Sequence, residues 1–251
     1  MNSPIETVVF DCYGTLAYID RQETVWKQVL RHLGQHSKGS LRQQILQTSY
    51  TNPHSFYTII QQGIEDLPHT QRKKLIACLP EEKLVAFQKQ MHAENYQVRL
   101  YSDVGPVLYK LAQKGYRVLV VSNASHEYTD RVTKLLGEHM PTKDIHFSCN
   151  LGYAKPDIRI FEQAFTRSGI PLQYPNILAV GDSLHNDVLP LVFQGKTPGT
   201  PQDDTDKPYN SDHNRQRKQQ GAMGLHITRH PTTHLIDGMT LEEKLKLIVR
   251  L

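Results

Sequence analysis

Apolar and polar positions alternate along this chain in two regimes. Val8-Val9-Phe10, Val118-Leu119-Val120-Val121 and Ile177-Leu178-Ala179-Val180 are short apolar runs without polar alternation, the pattern of strands buried on both faces of a parallel sheet. Each run ends in polar groups: Asp11, then Ser122-Asn123, then Asp182 after Gly181. The spacing predicts helices at about 103–113 with Gly115 as the stop, at 126–137, from Pro156-Asp157 to about 168, and at 186–194. Further strands are expected near 145–148 and at 223–228, and an amphipathic helix at 240–251. Strands alternating with helices imply an α/β fold, a mostly parallel sheet covered by helices on both faces.

Between 17 and 97 the strand pattern gives way to helical periodicity. Val25, Trp26, Val29, Leu30 and Leu33 recur at helical spacing before Gly34, and 40–49, 53–62 and 80–96 read as further helices, with Pro53 and Pro80 suited to first turns. The segment is expected to be an all-helical insert with its own apolar core. Residues 196–220 carry Pro198, Pro201 and Pro208 and no Val, Ile, Leu, Met, Phe or Trp, and are expected to be disordered.

Composition narrows the class. The 251 residues, 38% hydrophobic and 22% charged, suit a globular chain able to bury a large core, and no apolar run approaches the roughly 20 residues that span a bilayer. No export signal opens the chain, so a cytoplasmic location is expected. Cys12, Cys78 and Cys149 are odd in number and far apart, which speaks against a disulfide framework or a thiolate metal cluster. A net charge of +4 does not indicate nucleic-acid binding, and the basic run Arg215-Gln216-Arg217-Lys218 stands in a polar loop. The expected partner is a small-molecule substrate, with neither nucleic acid nor membrane, for a monomer or homodimer.

The strand ends carry the candidate chemistry. Asp11 is delivered into the turn Cys12-Tyr13-Gly14-Thr15, where Gly14 permits close backbone approach and Thr15 can hydrogen-bond or cap the residues after it. In open α/β sheets, ligands bind beyond the carboxyl ends of the strands. Ser122 can hydrogen-bond an anionic oxygen with Asn123 beside it, and Lys155, in Ala154-Lys155-Pro156-Asp157, brings positive charge to an anionic substrate. Asp182 and Asp187 add carboxylates to a site that already holds Asp11, and clustered carboxylates of this kind suit Mg²⁺.

Taken in order, these four stretches resemble the haloacid dehalogenase superfamily of aspartate-nucleophile hydrolases. The resemblance covers residues 3–16 and about 98–194 and resumes near 221. It implies a three-layer Rossmann-like core over 1–16 and 98–251, with a helical cap at 17–97 closing over the nucleophile. It also implies catalytic roles for Asp11, Tyr13, Ser122 and Lys155, and substrate contacts from Thr15, Ser122, Asn123 and Lys155. Mg²⁺ would be held by Asp11, the Tyr13 backbone carbonyl and Asp182, with Asp187 holding the metal's waters or positioning Lys155.

Tyr13 departs from the phosphatase pattern, in which a second Asp two residues after the nucleophile protonates the leaving group. A phenol, with a reference pKa of about 10, is a poor acid–base group near neutral pH. Asp-Cys-Tyr-Gly-Thr looks instead like the 2-haloacid dehalogenases, whose halide leaves without a proton and which need no metal. Gly181-Asp182 and the Lys155 loop resemble the phosphatase branch. The expectation is a Mg²⁺-dependent phosphatase of small metabolites, with a dehalogenase, and a catalytically weak binding module, as alternatives. Without an acid partner, substrates with leaving groups of low pKa, such as acyl or aryl phosphates, are expected to be favoured.

Overall fold

A computed structural model of the chain describes residues 5–20, 24, 25, 27, 28, 60, 64, 65, 68–193, 222–229, 236 and 239–249. Its centre is a five-stranded sheet built from β1 (Thr7–Phe10), β4 (Arg117–Ser122), β5 (Ile145–Phe147), β6 (Ile177–Gly181) and β7 (Met223–His226), in the order β5-β4-β1-β6-β7. Every pairing is parallel. The alternation of side chains within each strand divides the core into two layers. Val8, Phe10, Val120, Leu178 and Val180 face the helix Val104–Gln113 through Val104, Val107, Leu108 and Leu111, and also meet Val132, Leu136, Leu241 and Leu245. Val9, Leu119, Val121, Ile177 and Ala179 face Ile160, Phe161, Ala164 and Phe165 of the helix Ile158–Ser168. Burying a side chain such as Phe10, Phe161 or Phe165 contributes about 1.5–3 kcal/mol.

The chain leaves β1 for β4 on one side and later returns to β6 on the other. That reversal opens a crevice at the carboxyl ends of the three central strands, the usual ligand position in such sheets. Register aligns those ends, since Phe10 lies opposite both Val120 and Val180.

Outside the main sheet, β2 (Ala17–Ile19) pairs antiparallel with β3 (Val98–Leu100). Helical periodicity was expected from Ala17 onward, but residues 17–19 are strand. Three residues are too few to show a period, and pairing with β3 decides the conformation. The expected 80–96 helix is Glu81–Asn95, and His69–Cys78 forms a helix that periodicity did not mark, its sequence being largely polar on every face. The helices expected at 25–33, 40–49 and 53–62 lie largely outside the described residues, as does the polar stretch 196–220. Val25, Ile60, Ile64, Leu79, Leu84, Phe87 and Met91 form a second apolar cluster that also takes in Tyr128 and leans on Tyr13 and Ile19.

Two expected helices are broken. The 126–137 segment is a single tight turn at His126–Tyr128 followed by the helix Asp130–Gly137. The 186–194 segment is a wide turn at Leu184–Val188, closed by the Leu189 N–H to the Leu184 carbonyl, followed by the short helix Leu189–Val192. Pro190, with no N–H to donate, sits where a helix starts.

Candidate active site

Asp11 continues β1 by one residue, its N–H donating to the Val180 carbonyl at 2.9 Å. The chain then turns at once, because the Cys12 carbonyl accepts the N–H groups of Thr15, Leu16 and Ala17 at 3.2, 2.7 and 2.9 Å. Gly14 adopts φ +92°, and a Cβ there would stand 2.1 Å from Asp182 Oδ2. The turn therefore needs glycine for both its backbone and its neighbour. Cys12 itself is fully buried in the core, and burial, with the Asp11 charge behind it, pushes its thiol well above the ordinary range. That environment does not favour a thiolate nucleophile.

Lys155 organises the carboxylates. Its Nζ donates to Asp11 Oδ1 at 2.6 Å, to Asp187 Oδ1 at 2.5 Å and to the Val121 carbonyl at 2.9 Å. Burial works against its charge, but Asp11 and Asp187 outweigh that and hold the ammonium above the ordinary lysine range. Ser122 Oγ donates to the same Asp11 Oδ1 at 3.3 Å. Asn123 grips the main chain of Lys155 at both ends, Nδ2 donating to the Lys155 carbonyl at 3.0 Å and Oδ1 accepting the Lys155 N–H at 2.8 Å. In this structure the Asn123 side chain thus holds the lysine loop, where a substrate contact was expected.

Asp187 reaches the cluster because Gly181 leaves room: a Cβ on Gly181 would lie 2.3 Å from the Asp187 Cβ. Its other oxygen accepts the Ser183 N–H at 2.8 Å. Burial raises the Asp187 carboxyl against the lowering effect of Lys155. Asp182 is exposed at the rim, and its main-chain carbonyl is 3.0 Å from His226 Nε2. Desolvation of its carboxyl, then the charges of Asp11 and Asp187, push it up to about 7.

Asp11, Asp182 and Asp187 each bring one carboxylate oxygen within 4.8 Å of the others. Three carboxylates face one ammonium among the described residues, and this all-oxygen set with excess negative charge fits a divalent cation such as Mg²⁺.

Two of the expected site residues point elsewhere. The Tyr13 hydroxyl donates to the Tyr128 carbonyl at 2.5 Å, and burial raises its pKa beyond the ordinary phenol range. The Thr15 hydroxyl is fully buried and makes no hydrogen bond among the described residues, while its carbonyl accepts from Arg229 Nε at 3.2 Å and Nη2 at 2.9 Å. Arg229 stacks on Tyr101, its guanidinium carbon 4.1 Å from the ring centre, and Nη1 grips Asp103 at 2.8 and 3.0 Å. The sequence pattern did not mark Arg229, which lies more than 200 residues from Thr15 in a stretch without a motif.

A family model for haloacid dehalogenase-like hydrolases matches residues 5–192. The chain belongs to the haloacid dehalogenase-like hydrolase family, and its parallel sheet covered by helices has that family's fold. Among solved structures, a family enzyme of Bacteroides thetaiotaomicron in complex with magnesium and inorganic phosphate is 13% identical, with a TM-score of 0.50 over 92% of this chain and 98% of that one. A phosphatase of Thermococcus onnurineus is 19% identical, with a TM-score of 0.49 over 98% of this chain and 100% of the other. A dehalogenase solved as an intermediate complex is 19% identical, with a TM-score of 0.43 over 73% and 79%. No curated protein matches the chain.

Proposed function

We propose that this hydrolase is a Mg²⁺-dependent phosphatase of small phosphorylated metabolites, with Asp11 as the nucleophile. The observation that carries the reading is the carboxylate cluster. Asp182, folded over Gly14 and close to both Asp11 and Asp187, gives the site more negative charge than Lys155 offsets. A haloacid has no need of that excess, whereas a cation that neutralises it also draws a phosphoryl group.

Asp11, Asp182 and the Tyr13 main-chain carbonyl would hold Mg²⁺, with Asp187, whose oxygens take Lys155 and Ser183, beside them, and the cation when bound would withdraw negative charge from the phosphoryl oxygens. The chain's own residues do the rest. Lys155 and Ser122 orient Asp11 through Oδ1. A carboxylate oxygen of Asp11 attacks phosphorus, the P–O bond to the leaving group breaks, and an aspartyl phosphate forms. Water then attacks that phosphorus, the P–O bond to Asp11 breaks, and the water's protons leave with phosphate. Lys155 remains charged throughout and offsets the charge gathered around the transferring group.

Tyr13 favours the second reading, 2-haloacid dehalogenation, because its proton is committed to the Tyr128 carbonyl. Within the phosphatase reading the same bond favours acyl and aryl phosphates. The deciding experiment is hydrolysis of p-nitrophenyl phosphate, acetyl phosphate, a sugar phosphate and L-2-chloropropionate, each with Mg²⁺ and with chelator, beside Asp11→Asn. Phosphate release that requires both Mg²⁺ and Asp11 is expected, and a chloride release that survives chelator would replace the reading. A sugar phosphate turned over as fast as p-nitrophenyl phosphate would remove the leaving-group preference, since a general acid is worth about 10²–10⁴-fold.

A further inference from the structure

Glu94 lies near the end of the Glu81–Asn95 helix with its side chain fully buried. A carboxylate withdrawn from water is stable only when its oxygens accept hydrogen bonds. Oε1 accepts the Val25 N–H at 2.8 Å, and Oε2 accepts the Tyr128 hydroxyl at 2.6 Å. Tyr128 in turn accepts the Tyr13 hydroxyl on its main-chain carbonyl, and the two tyrosine rings meet edge-on with centres 6.3 Å apart. One side chain therefore links the 81–95 helix, the start of the helical segment at Val25, the loop after Ser122 and the nucleophile turn. Gln88 Nε2, donating to Glu127 Oε1 at 3.3 Å, adds a second tie between the same helix and the same loop.

We propose that Glu94 is a positioning residue: acting through Tyr128, it latches the 81–95 helix to the loop beside Asp11 and fixes Tyr13 as a wall of the cleft. None of the hydrogen bonds that orient Asp11, Ser122, Lys155 and Asp187 involves Glu94 or Tyr128. Loosening the latch should therefore weaken substrate binding and leave the chemical step alone. The kinetic part of the test rests on the phosphatase reading, and the hydrogen-exchange part does not.

Glu94→Ala, Glu94→Gln and Tyr128→Phe are assayed on p-nitrophenyl phosphate with Mg²⁺. Amide hydrogen exchange of Val25, whose N–H is accepted by Glu94 Oε1, is measured on the same proteins. Tyr128→Phe, which loses one hydrogen bond to a charged group, is expected to raise KM about tenfold, and Glu94→Ala, which loses two, at least as much, each with kcat within about twofold. Glu94→Gln, which keeps an oxygen for Val25 and a nitrogen for the Tyr128 oxygen, should be less impaired than Glu94→Ala. Exchange of the Val25 N–H should quicken in Glu94→Ala and Tyr128→Phe only. An unchanged KM, a fall in kcat matching the rise in KM, or Glu94→Gln as impaired as Glu94→Ala would overturn the proposal. A parent without phosphatase activity would overturn the functional reading, and Val25 exchange would then decide the latch: equal exchange in all four proteins sinks it. Tyr128→Phe, which loses one oxygen and no apolar bulk, keeps the test alive should Glu94→Ala fail to fold.

Discussion

Lys155→Met keeps the length of the side chain and removes its charge. Lys155 Nζ has acceptors at 2.6, 2.5 and 2.9 Å, and its side chain is 3% exposed. The substitution strips the counter-charge from Asp11 and Asp187, whose side chains are 6% and 4% exposed. Removing one partner of a buried pair costs about 3–5 kcal/mol, and that is the expected loss in unfolding free energy at pH 8 with chelator present. The loss should also depend on pH. Lys155 lowers the carboxyls of Asp187 and Asp182, so without it both rise further above the ordinary value of 3.8. The folded variant then binds protons that the unfolded chain does not, and a carboxyl raised in the folded state gains stability as pH falls. The deficit should therefore shrink between pH 8 and pH 5.5. Added Mg²⁺ should restore part of it at pH 8 if the cation is held by the same carboxylates. Urea unfolding of both proteins at the two pH values measures this. A deficit under about 1 kcal/mol, or an equal one at both pH values, refutes the role of Lys155 as counter-charge to a buried carboxylate pair.

The geometry carries three further expected outcomes. Asn123→Ala loses two neutral hydrogen bonds to the Lys155 main chain, so unfolding free energy should drop by about 1–3 kcal/mol and kcat should fall with KM little changed; a rise in KM alone, at unchanged stability, would make Asn123 a substrate ligand. Gly14→Ala places a Cβ 2.1 Å from Asp182 Oδ2 at φ +92°, and should cost about 1–3 kcal/mol of stability and blunt the rise in melting temperature produced by Mg²⁺, as thermal melts would show. His146 is buried against Ser168, and desolvation lowers its pKa from 6.5 to about 4. The unfolded chain takes up this proton first, so its contribution of about 3 kcal/mol is present above pH 6.5 and is lost as pH falls toward 4; His146→Gln should flatten the stability profile across that window, and an unchanged profile would refute the assignment.

The strands were legible because each must satisfy the same local demand. Val8–Phe10, Leu119–Val121 and Ile177–Val180 are buried on both faces, so they are apolar without a break, and their ends are marked by the first polar residue. The ends of the central strands marked Asp11, Ser122 and Asp182 as candidates, because charge appears where the apolar run stops, whereas Lys155 and Asp187, set in the segments that follow strands, were read from their motifs and the family resemblance. Gly14 was legible as a close approach, although not the group that approaches it. Helix 126–137 was misread as continuous because apolar spacing persists across a turn, and β2 was missed because three residues show no period.

Partnership was decided only in three dimensions. Nothing near Asn123 in the sequence says that its amide will hold the main chain of Lys155, 32 residues away, or that Tyr13 will spend its proton on Tyr128. Glu94 and Arg229 carry no motif, and each acquires its role from groups brought together by the fold: Tyr128 and Val25 for the first, Thr15 and Asp103 for the second. Pattern along a chain records which side chains leave water. A buried polar group must find its partner wherever the packed elements place one, and that choice belongs to the tertiary structure.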